Sequence, residues 1–308
     1  MSSRLGGAAA AVMAIVAPAL VNGSPAAASF YREPTRGGGV DRAVRVVAAG
    51  DIACTASEAP TDDTCRQAAT ARLAARLKPS AVLALGDGQY ESGRLREYRS
   101  SYARSWGRLR SRTHPVPGNH DHRTAGAAGY YRYFRNRQPG PPGYYSYRLG
   151  SWRMYALNTE CKVIDCDTEA RWLRRKLKAR PSSCSLIYMH RPRFSSGSSH
   201  GSAETVAGLW DVAYQHRVDV ALASHEHNYE RFRRLDSRGN PMADGIMSFV
   251  AGTGGRSLYP FGSPERGSVY RHNDGFGVLV LRLGQGFYSW KFVTIRGTVL
   301  DRGTRSCI

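Results

Sequence analysis

The apolar residues of the chain keep two rhythms. Short β-type runs occupy Val44 to Ala49, Ala81 to Leu85, Cys184 to Met189 and Val218 to Ala223. Between them the spacing is helical. Residues 66–78 place Leu73 and Leu77 four apart, and residues 168–180 place Leu173 and Leu177 four apart beside Trp172, with Pro181 as the stop. This alternation predicts an α/β fold with a largely parallel or mixed sheet. From about residue 246 the rhythm changes. Ile246 to Ala251, Gly277 to Leu283 and Phe287 to Ile295 read as strands joined by Gly-rich turns, and they predict a second sheet packed on the first. Two stretches invite other readings. The aromatics of Tyr130-Tyr131-Arg132-Tyr133-Phe134-Arg135 suggest nucleic acid, but without a recognisable module they read as a helix packed on the core. Gly252-Thr253-Gly254-Gly255-Arg256 looks like a phosphate loop, but no helix follows, so a hairpin turn is expected there.

The first 28 residues are of another kind. Arg4 precedes a mostly apolar stretch from Gly6 to Val21, and small residues follow at Ala26-Ala27-Ala28. That order is a secretory signal, too short and too interrupted (Pro18) for a membrane span. Residues 29–42 read as a flexible lead-in, and 43–308 as one domain with no transmembrane segment. Six cysteines suit an exported, extracellular protein, with cell-wall association open to it. Cys54/Cys65 and Cys161/Cys166 are close pairs, leaving Cys184 with Cys307 by elimination, although six cysteines allow 15 pairings. A cysteine zinc site is the rival, disfavoured because no close C-x-x-C pair exists. The net charge is +20, with arginine outnumbering lysine 39 to 5. Such a surface can draw anionic substrates, nucleic acid or another polyanion. Even spacing of the basic residues along the chain favours the plainer reading, charge on solvated faces.

The polar residues that close the apolar runs change the picture most. Val44–Ala49 ends in Gly50-Asp51, and Ala81–Leu85 in Gly86-Asp87 with Tyr90 three residues on. Pro115-Val116-Pro117 leads into Gly118-Asn119-His120-Asp121. Leu186 to Met189 ends in His190, and Val218 to Ala223 in Ser224-His225-Glu226-His227. Ligands of open α/β sheets bind outside the carboxyl ends of the strands. Five strand ends therefore bring a metal-ligand inventory to one rim, too rich for a single ion. His225 and His227, two apart on extended chain, point the same way while Glu226 points elsewhere. An aspartate such as Asp87 can bridge two cations about 3.5–4 Å apart. Carboxylate, amide and imidazole ligands suit iron, manganese or zinc.

The ordered series Gly50-Asp51-Ile52-Ala53, Gly86-Asp87-Gly88-Gln89-Tyr90, Gly118-Asn119-His120-Asp121, Ile187-Tyr188-Met189-His190 and Ser224-His225-Glu226-His227 resembles the calcineurin-like metallophosphoesterases. The closer resemblance is to purple acid phosphatases, with blocks DxG, GDxxY, GNH[DE], VxxH and GHxH. It implies a four-layer αββα sandwich, two mixed β-sheets packed face to face and flanked by helices. It also implies one metal on Asp51, Asp87, Tyr90 and His227, and a second on Asp87, Asn119, His190 and His225. His120, with Asp121 beside it, resembles the histidine that contacts phosphate and helps protonate the leaving group. His200 lies ten residues after His190, where plant-type members carry another substrate-facing histidine. Ala53, Ser224 and Ile187 depart from the blocks without removing a ligand. Only 22 residues separate Ala28 from Asp51, so a compact relative without the plant N-terminal β-domain is expected.

The resemblance gives Tyr90 a purpose. Calcineurin-like enzymes usually carry a histidine where Ala53 stands, and a phenol can fill that vacancy. With an unperturbed pKa of about 10, it binds as phenolate only beside a strong Lewis acid. Fe(III) is therefore expected at the Tyr90 side, with Zn, Mn or Fe(II) at the second position. The implied activity is hydrolysis of small phosphate monoesters by a metal-bound hydroxide, with His120, and His200 beside it, assisting the leaving group. A secreted phosphodiesterase or nuclease on the same metals is the alternative, and a non-catalytic polyanion-binding protein the third reading.

Overall fold

The computed structural model describes residues 43–179 and 184–308. The expected signal (1–28), the lead-in (29–42) and Pro181 lie outside the described residues. In chain order the strands are β1 (Val44–Ala49), β2 (Ala81–Leu85), β3 (Thr113–Val116), β4 (Tyr145–Leu149), β5 (Trp152–Ala156), β6 (Ser185–Tyr188) and β7 (Val220–Ala223). They continue as β8 (Tyr229–Leu235), β9 (Ile246–Ala251), β10 (Ser268–His272), β11 (Gly277–Gly284), β12 (Phe287–Thr294) and β13 (Val299–Ser306).

Alternation along these strands sets the layers. Val46 and Ala48 of β1 face one core while Val47 and Ala49 face another. In β6, Leu186 and Tyr188 face the first core and Ile187 faces a third. The shared core lies between two sheets, ordered β13-β12-β11-β1-β2-β3 and β10-β8-β9-β7-β6-β5-β4. The outer face of the first sheet is covered by helices 67–76, 95–100 and 128–134, and that of the second by helices 166–179 and 207–215. This is the four-layer αββα sandwich. Each large side chain buried in the central core, such as Leu83, Leu222 or Phe292, contributes about 1.5–3 kcal/mol by leaving water.

The helices fall where the periodicity puts them, within two residues. The aromatic stretch forms helix 128–134, with Tyr130, Tyr133 and Phe134 buried. The late strands do not make a sheet of their own. β9 enters the second sheet beside β7, in parallel, and β11–β13 extend the first antiparallel to β1. β4, β5, β8, β10 and β13 carry too many polar or aromatic residues to stand out as apolar runs. Residues 252–256 are not a hairpin either: from β9 they cross to the first sheet, where the N–H groups of Gly254 and Arg256 bond the carbonyls of Gly50 and Asp51 (both 2.9 Å).

The strand directions position the site. β1, β2 and β3 run parallel in one sheet, and β6 and β7 in the other. Buried Asp301 of β13 ties the sheets together, taking bonds from Tyr229 Oη (2.7 Å), Arg231 Nε (2.7 Å) and Arg231 Nη2 (3.0 Å) of β8. The six cysteines pair as Cys54–Cys65, Cys161–Cys166 and Cys184–Cys307. None is left as a thiolate, so a cysteine zinc site is ruled out. The last bridge spans 123 residues and pins the end of β13 to the start of β6. Loops of that length stabilise most in the chain-entropy account. Replacing both Cys184 and Cys307 by serine is expected to cost about 2–5 kcal/mol, read as a lower Tm under non-reducing conditions; an unchanged Tm contradicts the tie.

Candidate metal centre

The chain bends sharply where each strand meets the rim. Asp51, Asp87 and His225 all sit at positive φ (57°, 46° and 72°), a region non-glycine residues occupy uncommonly. Small residues make room around them. A Cβ at Gly118 would lie 2.3 Å from Asp87 Oδ1, and one at Gly86 (φ 90°) 2.5 Å from His190 Nδ1. The strain turns three of the five strand ends inward onto one cluster.

Two donor sets result, and they share one atom. On one side Tyr90 Oη lies 2.9 Å from Asp51 Oδ1, 3.1 Å from Asp87 Oδ2 and 3.0 Å from His227 Nε2. On the other, His190 Nε2 lies 3.4 Å from the same Asp87 Oδ2, 3.1 Å from Asn119 Oδ1 and 3.1 Å from His225 Nδ1. Donors about 2.1 Å from one ion stand about 3.0–3.4 Å apart at octahedral or tetrahedral angles. The distances from Tyr90 Oη and from His190 Nε2 lie close to that spacing, and Asp87, His190 and His225 offer ligand atoms all within 4.8 Å of one another, room for a cation.

Proton counting leads to the same place. His190 Nδ1 faces the Leu85 carbonyl at 3.0 Å, which can only accept, so Nδ1 carries the hydrogen and the Nε2 lone pair points inward. It meets a carboxylate, an amide oxygen and another imidazole. Around Tyr90 one hydroxyl proton faces two carboxylate oxygens and an imidazole nitrogen. The Arg191 guanidinium can only donate to His225 Nε2, which puts that ring's hydrogen on the Nδ1 facing His190; even so the two carboxylates leave acceptors in excess around Tyr90, and a positive charge is what the cluster lacks. Without one, burial pushes the His190 imidazole down, but the Asp87 carboxylate outweighs it and lifts the group to about 9. Asp87 shows the converse: burial raises it, and the charge and hydrogen bond of His190 hold it well below the carboxylate range. The Tyr90 phenol is raised well above 10 by burial and by the two aspartates, so only a strong Lewis acid displaces its proton. His225 is lowered by burial and by neighbouring His190 and Arg191.

The three departures from the motif blocks have plain consequences. The Ser224 hydroxyl donates to the Leu85 carbonyl (2.5 Å) and sits 3.0 Å from His190 Nδ1, so it helps hold the ring. Ala53 is fully buried, and its carbonyl accepts the Tyr90 N–H (2.9 Å), which ties the vacated position to the phenol. Ile187 is a core residue.

The pattern for the calcineurin-like phosphoesterases matches residues 44–229, more than half of the chain. The chain belongs to this family. Family members use a binuclear metal centre, and the two donor sets suit one. Among characterised relatives, purple acid phosphatase 21 of Arabidopsis thaliana is 29% identical over 118 residues, 36% of this chain and 26% of its own length. A phosphoenolpyruvate phosphatase of Allium cepa is 25% identical over 226 residues, 60% of this chain and 47% of its own. The chain thus spans less than half the length of either. A purple acid phosphatase from seeds of yellow lupin (Lupinus luteus) shares the fold, with a TM-score of 0.71 and 20% identity over 86% of this chain and 54% of its own. The resemblance read from the five blocks holds.

Around this cluster lies a cleft of about 310 Å³. His120 and His200 both line it. His120 Nδ1 faces the Glu91 carbonyl at 2.7 Å, which leaves Nε2 toward the cluster, 4.0 Å from Asp87 Oδ2. The His200 ring stacks on His225 at 4.1 Å. Asp121 is brought to the cluster's edge but turns away from the cleft. It is fully buried and accepts bonds from Gly118 N (3.0 Å) and Tyr98 Oη (2.6 Å); burial and nearby Asp87 push it up to about 7. Sequence reasoning missed several lining residues. Tyr259 stacks on His227 at 3.9 Å. Arg256, on the crossing strap, lies over the Tyr90 ring and pairs with Glu58 (3.0 Å) and Glu91 (2.6 Å). Beside the cleft, Arg191 is clamped by Glu160 and reaches His225 Nε2 (2.8 Å). The one available signal was the lone arginine closing the glycine-rich stretch.

Proposed function

We propose that this chain is a secreted phosphatase that hydrolyses phosphate monoesters at a binuclear metal centre. The observation that carries the reading is the shared Asp87 Oδ2, common to both donor sets. Asp51, Asp87, Tyr90 and His227 would hold one cation, and Asp87, Asn119, His190 and His225 the other. Bound there, the cations would supply Lewis acidity, neutralising phosphoryl charge and making water nucleophilic near neutral pH. A tyrosine ligand binds as phenolate only beside a strong Lewis acid, which supports Fe(III) on the Tyr90 side, with Zn, Mn or Fe(II) at the second position.

The remaining work falls to the chain. His120 has its ring fixed through Nδ1 and its Nε2 open to the cleft, so it can hold the proton delivered to the departing oxygen; such catalysis is typically worth about 10²–10⁴-fold. Tyr90, against whose ring His120 packs at 4.2 Å, limits the tilt of the imidazole. Asp121 acts at one remove by tying the 118–121 turn to Tyr98. Exposed His200 and half-buried Tyr259 form the opposite wall. The cleft suits one phosphoryl group with a modest leaving group, and the phosphatase names of the relatives agree. Net charge +20 supports the second reading, a diesterase that draws nucleic acid. Secretion is supported by three disulfides, alongside the expected signal at 1–28 and a single catalytic domain over 43–308. No helix among the described residues is long and apolar enough to cross a membrane.

Measured on metal-quantified protein, kcat/KM is expected to be at least tenfold higher for an aryl phosphate monoester than for the matching diester; the reverse order makes the chain a diesterase. Iron-loaded protein is expected to absorb in the visible, and Tyr90→Phe to lose that band. A band that survives the substitution removes the phenolate from the centre.

A further inference from the structure

Glu226 lies between two of the proposed ligands, His225 and His227, yet faces neither donor set. It is fully buried. Its Oε1 accepts the backbone N–H groups of His200 and of Gly201 (2.6 Å), while Oε2 is buried without a hydrogen-bond partner. The contact is close: a Cβ on Gly197 would lie 2.1 Å from Glu226 Cδ. The segment it holds, 195–202, is a loop of serine and glycine around one histidine, the kind of chain that costs most to order. A second buried carboxylate, Glu230, fixes the loop's entry through Ser196 N (2.8 Å) and the hydroxyls of Ser195 (3.4 Å) and Ser196. At the tip, Glu226 takes the backbone N–H of the histidine itself and that of the glycine after it.

The His200 ring is held by stacking, 4.1 Å from His225 and 5.8 Å from Tyr259. Stacking sets the plane of a ring more firmly than its reach. We propose that Glu226 is the positioning residue for His200, drawing the 195–202 loop across the cleft so that the imidazole faces the substrate. This rests on the phosphatase reading. The residue that separates two proposed ligands thereby links their turn to the 195–202 wall of the cleft, and the seat of the loop depends on that turn.

The test is a double-mutant cycle with a conservative control. Glu226→Ala and His200→Ala are each expected to lower kcat by about tenfold or more, with KM moving less than threefold. The double variant is expected to lose no more than either single one. Glu226→Gln keeps the accepting oxygen and is expected to stay within threefold of the parent. Gly197→Ala attacks the same contact from the loop side, so it should reproduce Glu226→Ala should that variant fold poorly. Bound metal, measured by elemental analysis, is expected to be unchanged in all four single variants. Additive losses, a Gln variant as impaired as the Ala variant, or metal lost with Glu226→Ala each overturn the proposal. Backbone amide exchange over 195–202 needs no turnover. Faster exchange in Glu226→Ala than in Glu226→Gln supports the anchor, and equal exchange removes it. Failure of metal-loaded parent protein to hydrolyse any phosphate ester contradicts the phosphatase reading, while the exchange comparison still decides the contact.

Discussion

The structure turns on one carboxylate with too many obligations. Asp87 Oδ2 lies within 3.4 Å of both Tyr90 Oη and His190 Nε2, while Oδ1 accepts the His120 N–H at 2.8 Å. The Tyr90 hydroxyl has one proton to divide among this oxygen, Asp51 and His227, and burial denies the carboxylate water. The nearby backbone is spent on holding the aspartate in place: φ is positive at Asp87 and Gly86, and Gly118 has no room for a side chain. Strain of about 1–3 kcal/mol per such residue persists only where surrounding packing over-determines it. Here the packing comes from two sheets whose parallel strands end at one rim.

That architecture explains why the chemistry is spread over 177 positions, Asp51 to His227, and still converges. Each sheet contributes strand ends, and the ties between sheets keep the rims in register. Asp301 with Tyr229 and Arg231, the Cys184–Cys307 bridge and the crossing strap at 252–256 each join a segment close to a proposed ligand to one far from it in sequence. The outer hydrogen bonds do finer work. The Leu85 carbonyl on His190 and the Glu91 carbonyl on His120 each fix a ring so that Nε2 faces inward.

How much of this was legible in the sequence follows from the range of the forces involved. The proposed ligands stood out because each follows a short strand, often across a glycine, a local arrangement that spacing reveals. The two helices flanking β2 and β6 were readable from leucines four apart. Strand partners were not, since β9 and β11 are alike in composition yet join different sheets. Pairing is a long-range choice that no period records. Arg256 escaped for the same reason: it meets Glu91 across 165 positions. Asp121, next to His120 in sequence, shows the converse. On a short helical turn neighbouring side chains diverge, and its carboxylate goes to Tyr98.

The account stands on a pair of cations bridged by one aspartate. Anomalous diffraction from crystals of metal-loaded protein measures this directly. The expected result is two ions about 3.5–4 Å apart, both within bonding distance of Asp87, one beside Tyr90 and one beside His190. A single ion, or two ions that share no contact with Asp87, would contradict it.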